Sequence, residues 1–145
     1  MRRKRGTGCI SKQWSKAGES NLSSTSSSTS QIAYMYSCTR DGILYRDQVS
    51  RIVAMYAMKE LFVKHNDIRQ VHHIDGDHSN WRPSNLVIAR NQKQHIQLDL
   101  LARVAKLTGK PVTLRLKGAV YVGDFIQDDN FDIEEVFIWW LEQVA

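Results

Sequence analysis

Histidines are unusually clustered in this chain, since four of its five histidines lie between residues 72 and 95. A neutral imidazole binds divalent metals and accepts a proton near neutral pH. His72 and His73 are adjacent, so in a strand they point to opposite faces, and one can bind metal while the other faces a substrate. Asp99 follows His95 by four residues, which puts both on one helix face. These types and spacings predict a site for one divalent ion and one base.

The elements that must position these residues follow from local patterns. Residues 70–74 and 85–89 have the composition of short strands, and residues 75–84 form a polar loop closed by Pro83. Residues 91–108 have helical spacing of apolar side chains, and Gly109 is suited to end that helix. The apolar positions expected to face the core are Ile96, Leu100, Val104 and Leu107.

One segment resembles a known family. The sequence VHHIDGDHSN at 71–80, then Asn85-Leu86-Val87-Ile88, then His95, is similar to the HNH endonuclease motif found in phage and intron-homing enzymes. That motif has a histidine preceded by a paired residue, a D-G-x-x-x-N loop, an N-L pair opening the second strand, and a histidine or asparagine on the helix. The resemblance covers a minor part of the chain.

The resemblance implies an α+β protein with a ββα-metal (His-Me finger) nuclease core. His73 would be the general base that activates water, and His72 and His95 would bind one divalent ion. Asn85 would be the central asparagine that fixes the loop around the base. Asp99 joins the ligands through its helical relation to His95. Mg²⁺ or Mn²⁺ is the expected ion, with Zn²⁺ or Ni²⁺ as alternatives.

The helix ligand leaves two alternatives. The resemblance to the HNH motif implies a helix ligand nine residues after the central asparagine, which here falls on Gln94, whereas His95 stands at ten. One residue turns a helical side chain by about 100°, so only one of the two can face the ion. We favour His95, because glutamine is a poor ligand for such ions and Asp99 lies beside His95.

Charge is segregated along the chain, whose formal net charge is +5. Residues 1–30 hold six basic residues and one acidic residue, residues 31–123 hold fourteen and seven, and residues 124–145 hold seven acidic residues and no basic one. Basic segments favour a polyanion such as DNA, because their side chains displace condensed counterions. Arg69, Arg82 and Arg90 flank the motif as candidate phosphate contacts, and the sequence does not choose among them.

The whole chain divides into four predicted regions. Residues 1–30 are predicted to be a basic, serine-rich flexible tail, because they offer little apolar surface to offset ordering. Residues 31–68 predict a hairpin and an amphipathic helix over 47–64 that leads into the motif at 69–108. Residues 109–145 predict an accessory hairpin, with strands 112–116 and 119–125, and an acidic helix over 132–144.

The sequence contains no apolar run long enough to cross a bilayer, and its basic start lacks an apolar signal core. We therefore expect an intracellular, cytoplasmic protein without a membrane partner. An endonuclease is the leading interpretation. One alternative is a catalytically silent DNA-binding module of the same fold. Another is a regulatory adaptor that binds a protein through the acidic helix, although core packing is the favoured use of that helix's apolar side chains.

Overall fold

The computed structural model describes residues 8–16, 30–62 and 67–145, and its architecture is mixed α+β, as predicted. Two small antiparallel sheets are formed by strands β1, β2 and β3 and by strands β4, β5 and β6, and three helices accompany them within these ranges. The elements in chain order are β1 (Cys9–Lys16), β2 (Ser30–Arg40), β3 (Ile43–Gln48), α1 (Val49–Met58), β4 (Gln70–His73), β5 (Leu86–Ala89), α2 (Gln92–Thr108), β6 (Val120–Tyr121) and α3 (Ile133–Val144).

The hairpin predicted near the start of residues 31–68 is confirmed as β2 and β3. Its two turn residues, Asp41 and Gly42, both have positive φ, 51° and 78°. Two successive positive φ values match the twist of a two-residue hairpin, and glycine adopts such values without strain. The pairing extends from Arg40 opposite Ile43 to Met35 opposite Gln48.

The prediction of a flexible tail over residues 1–30 is wrong for part of that range. Cys9–Lys16 forms β1, which pairs antiparallel with β2 along its whole length. The backbone of β2 provides the hydrogen-bond partners of β1, and these distant partners cannot be inferred from the polar sequence of the segment itself. Most of the serine-rich stretch, residues 19–29, lies outside the described residues.

The main core lies between β2, α1 and α3. Tyr36 of β2 stacks on Phe137 of α3, with ring centroids 3.8 Å apart and planes 11° from parallel, and Trp140 meets Tyr36 edge-on at 6.0 Å. Burial of these apolar side chains is the main stabilising contribution. These contacts confirm the prediction that the apolar side of the C-terminal helix packs in the core. Asp132 caps that helix by accepting a hydrogen bond from the Glu134 backbone N–H at 3.0 Å.

Helix α1 is shorter than the predicted 47–64. It ends at Met58 because Lys59 adopts a left-handed conformation with φ of 55°, and its backbone N–H bonds back to the Met55 and Tyr56 carbonyls. Phe62, beyond this end, is nevertheless buried, at 4% exposed. The apolar spacing therefore continued past the helix because non-helical residues also face the core.

The predicted C-terminal hairpin is wrong. Residues 112–116 have no regular secondary structure, and the short strand β6 pairs with β5 instead. Strand β5 is thereby flanked by β4 and β6, and its four residues are all buried. A fully buried central strand needs hydrogen-bond partners at both edges, and β6 provides the second edge.

Helix α2 has the predicted ends, with Asn91 as its N-cap and Gly109, at φ of 74°, after its last turn. The prediction of which face of α2 is buried is wrong. Leu98 is buried against Val87 and Ala89 of β5, and Gln94 is buried as well, at 3% and 4% exposed. The predicted stripe is the solvent side, where 48% to 80% of each side chain is exposed: Ile96, Leu100, Val104 and Leu107.

Among the described residues, no helix has the length and apolar character required to span a membrane.

Candidate metal centre

The candidate site is formed where β4 lies against β5 and α2. His72 pairs with Val87 and His73 with Leu86, so both histidines occupy the end of β4. Successive strand residues point to opposite faces, and the contacts agree. The His72 ring lies 5.4 Å from the ring of His95 on α2, whereas the His73 ring lies 4.8 Å from that of His78 in the loop.

Three predicted ligands come together in one group. Nδ1 of His72 lies 2.9 Å from Oδ1 of Asp99, and Nε2 of His95 lies 3.6 Å from the same oxygen. One ligand atom of each residue lies within 4.8 Å of those of the other two. Donors about 2.1 Å from one ion are at most about 4.2 Å apart, so small side-chain movements suffice to hold an ion.

The donor chemistry of this group also fits a divalent ion. Two imidazole nitrogens and one carboxylate oxygen are ligands that first-row transition metals accept, and a carboxylate also suits Mg²⁺. His72 is only 4% exposed, but it borders a cavity of about 320 Å³. Burial lowers the pKa of His72, which favours the neutral form that a metal requires, while Asp99 acts in the opposite direction.

His95, and not Gln94, lies beside Asp99. The side chain of Gln94 is buried elsewhere, where its Oε1 accepts a hydrogen bond from the Arg90 backbone N–H at 2.9 Å and its Nε2 donates to the Lys117 carbonyl at 3.1 Å. Gln94 thus joins α2 to the turn before β6. The connection between β5 and α2 accommodates one additional residue, so that His95, ten residues after Asn85, lies at the candidate metal group. Gln94 has a structural role instead.

Asn85 connects the loop to the strand end. Its Oδ1 accepts a hydrogen bond from the Asp75 backbone N–H at 2.9 Å, and its Nδ2 donates to the Asn80 carbonyl at 3.0 Å. The Asn85 carbonyl also accepts from the Ile74 N–H at 2.9 Å. One amide side chain therefore holds both the start and the middle of the loop that follows His73.

His73 is buried, at 5% exposed, and its Nε2 has no hydrogen-bond partner among the described residues. Burial, and secondarily the neighbouring His78 and His72, lower the pKa of His73 to about 4. Its imidazole is therefore neutral at neutral pH and carries a lone pair. Because Nε2 is enclosed, a proton acceptor facing solvent would have to be Nδ1.

Two residues at this site were not assigned to it from the sequence. His78 lies beside His73, and burial lowers its pKa while Asp99 acts to raise it. Its place depends on the loop conformation, which no sequence periodicity encodes. Gln70 is the second: its Oε1 lies 2.6 Å from Nδ1 of His95. Gln70 stands two residues before His72 in β4, and alternation along a strand was a signal that could have indicated it.

The three candidate phosphate contacts differ in their surroundings. Arg69 is bound to two carboxylates, those of Asp67 and Glu60, so its charge is already compensated. Arg82 is exposed at the end of the loop. Arg90 is exposed too, and its guanidinium lies against Gly118, where an added Cβ would come within 2.9 Å of Nη1.

Comparisons of the chain with protein-family models, curated proteins and solved structures found no match. Its own residues are therefore the basis for assigning a function.

Proposed function

We propose that this chain is a metal-dependent endonuclease of the HNH type that hydrolyses DNA phosphodiester bonds. The observation that carries the proposal is the convergence of His72, His95 and Asp99 within 4.8 Å, with His73, a buried and neutral histidine, next to His72 at the end of β4. Buried titratable groups with shifted pKa values beside a metal-binding group are typical of catalytic sites.

The arrangement of elements supports a ββα-metal core. Antiparallel strands β4 and β5 are followed directly by α2, and the possible ligands are divided between the first strand and the helix. Asn85 occupies the junction between the loop and β5 and holds the loop by two hydrogen bonds. This is the position that the HNH resemblance assigns to the central asparagine.

His72, His95 and Asp99 would hold the ion, and the ion, when bound, would neutralise charge on the scissile phosphate and on the leaving oxygen. His73 accepts a proton from water at its lone pair. The water oxygen then forms the new bond to phosphorus, the bond from phosphorus to the leaving oxygen breaks, and that oxygen takes up a proton from solvent. An anionic phosphate near His73 raises its pKa from the depressed value, towards the range in which a general base is most effective.

Arg82 and Arg90 are the candidate DNA contacts that this structure favours. Both are exposed, and neither has a carboxylate within 4.0 Å among the described residues, whereas Arg69 is paired with two. A guanidinium free of carboxylates can form paired hydrogen bonds with a phosphate. Arg69 is better explained as a support for the segment before β4.

The test is nicking of supercoiled plasmid by purified protein with Mg²⁺ or Mn²⁺, beside His73→Ala and His72→Ala. We expect His73→Ala to cut about 100- to 10,000-fold more slowly while still binding metal, because it loses only the base. We expect His72→Ala to lose both metal binding and cutting. Equal amounts of relaxed plasmid from wild type and His73→Ala would refute the proposed nuclease activity.

The enclosed Nε2 of His73 favours a second candidate, a catalytically silent DNA-binding module in which metal only joins α2 to β4. Wild-type protein that binds metal and DNA but leaves the plasmid supercoiled would support this module. A protein partner for α3 stays a prediction. The buried apolar side of the helix lies in the core, and the exposed residues left for a partner include the acidic Glu134 and Glu142.

A further inference from the structure

The side chain of Gln70 reaches from β4 to α2 and ends on a candidate metal ligand. Its Oε1 lies 2.6 Å from Nδ1 of His95, while Nε2 of the same ring points towards Asp99, 3.6 Å from Oδ1. The two nitrogens of His95 therefore face different partners. One faces a neutral amide, and the other faces the group that would hold an ion.

A neutral imidazole carries one proton, and the hydrogen bond made by one nitrogen decides which nitrogen carries it. The amide oxygen of Gln70 can only accept, so a hydrogen bond at 2.6 Å requires the proton on Nδ1 of His95. Nε2 is then left with its lone pair directed to the side of Asp99 and His72. In the other tautomer, the N–H would occupy the direction needed by an ion.

We propose that Gln70 is a positioning residue that fixes His95 in the Nδ1–H tautomer and so prepares its Nε2 to bind a divalent ion. The inference rests on the metal site of the proposed function. Partners of this kind orient the ring of a metal-binding histidine and raise its basicity, and their loss typically weakens metal affinity about 10- to 100-fold.

A purely structural role is the competing explanation, since the same hydrogen bond joins β4 to α2. Substitutions of Gln70 that keep or remove its hydrogen-bond acceptor distinguish the two roles. Gln70→Glu keeps an acceptor oxygen at the same distance along the side chain. Gln70→Met keeps the length and loses the acceptor. Gln97 is the matched control, because it is exposed on α2 and has no side-chain hydrogen bond to a described residue.

The experiment titrates Co²⁺ into the full chain and follows its visible absorption, with thermal unfolding of each ion-free variant measured alongside. We expect Gln70→Met to bind Co²⁺ about 10- to 100-fold more weakly, and Gln70→Glu to bind within about threefold of wild type. Gln97→Met should bind as wild type. Equal dissociation constants for wild type and Gln70→Met would overturn the proposal.

A second measurement needs no variant. Ring ¹⁵N chemical shifts of ion-free wild-type protein, recorded where His95 is neutral, should show the proton on Nδ1; a proton on Nε2 would overturn the proposal even if Gln70→Met does not fold. The nuclease can fail separately. Intact Co²⁺ binding and a Gln70→Met defect, with no plasmid cutting, would refute the nuclease and support the role of Gln70. Absence of Co²⁺ binding by wild type would overturn both.

Discussion

Replacing Asn85 with alanine removes two hydrogen bonds that hold the loop after β4. The Asp75 N–H and the Asn80 carbonyl lose their partners, at 2.9 Å and 3.0 Å, from a side chain that is only 7% exposed. Leaving one buried polar group unpaired costs about 1–3 kcal/mol, and partial access of water to the loop favours the lower half of that range. We therefore expect Asn85→Ala to lower the free energy of unfolding by about 2–4 kcal/mol.

Urea unfolding followed by circular dichroism measures this change, and Asn130→Ala is the matched control. Asn130 is exposed, and its side chain makes no hydrogen bond to another described residue. We expect the control to change the free energy of unfolding by less than about 0.5 kcal/mol. In a chain of 145 residues, the Asn85 variant should melt roughly 7–13 °C lower. Equal urea midpoints for the two variants would refute the reasoning that this amide holds the loop.

Three further predictions concern the support of the site. Leu98→Ala should cost about 2–5 kcal/mol in urea unfolding and Leu100→Ala less than about 1, because Leu98 is 3% exposed and Leu100 is 56% exposed; equal costs would contradict the observed burial of α2. Gln94→Ala should cost about 2–4 kcal/mol by leaving two backbone groups unpaired, with Co²⁺ affinity within about threefold of wild type; a large loss of affinity would place Gln94 at the ion. Hydrogen bonding from Arg69 lowers the pKa of Asp67 in the folded state. The contribution of the Asp67 carboxylate to stability is therefore present above its pKa in the unfolded state and is lost as pH falls through its pKa in the folded state. Asp67→Asn should thus be less stable than wild type at pH 7 by about 1–3 kcal/mol, and urea unfolding near pH 3 should show a smaller difference, whereas an unchanged difference would exclude this ion pair as the cause.

The features that sequence predicted well are those set by local chemistry. Asn91 and Gly109 mark the two ends of α2, because an asparagine side chain suits the start of a helix and a glycine backbone suits its end. Asp41-Gly42 likewise suits a two-residue turn. The His95 and Asp99 pair follows from helical spacing alone, and the structure places both beside His72.

The features that sequence missed depend on distant partners. β1 was missed, and the strand predicted at 119–125 was given the wrong partner, because a strand needs an edge to pair with, and those edges belong to β2 and β5. Periodicity showed that α2 has an apolar stripe, but the side chains that the helix buries are those of Leu98 and Gln94. An amide with two backbone partners can be buried at low cost, which hydrophobic periodicity does not register.

The division of the three candidate ligands between β4 and α2 has a consequence for thermal stability. An ion that binds only the folded chain raises the free energy of unfolding by about 2.7 kcal/mol at one hundred times its dissociation constant. Melting temperature therefore becomes a measure of ion preference that needs no substrate. Mg²⁺, Mn²⁺, Zn²⁺ and Ni²⁺ can be ranked by the shifts they cause, with Asp99→Asn as the variant in which those shifts should shrink.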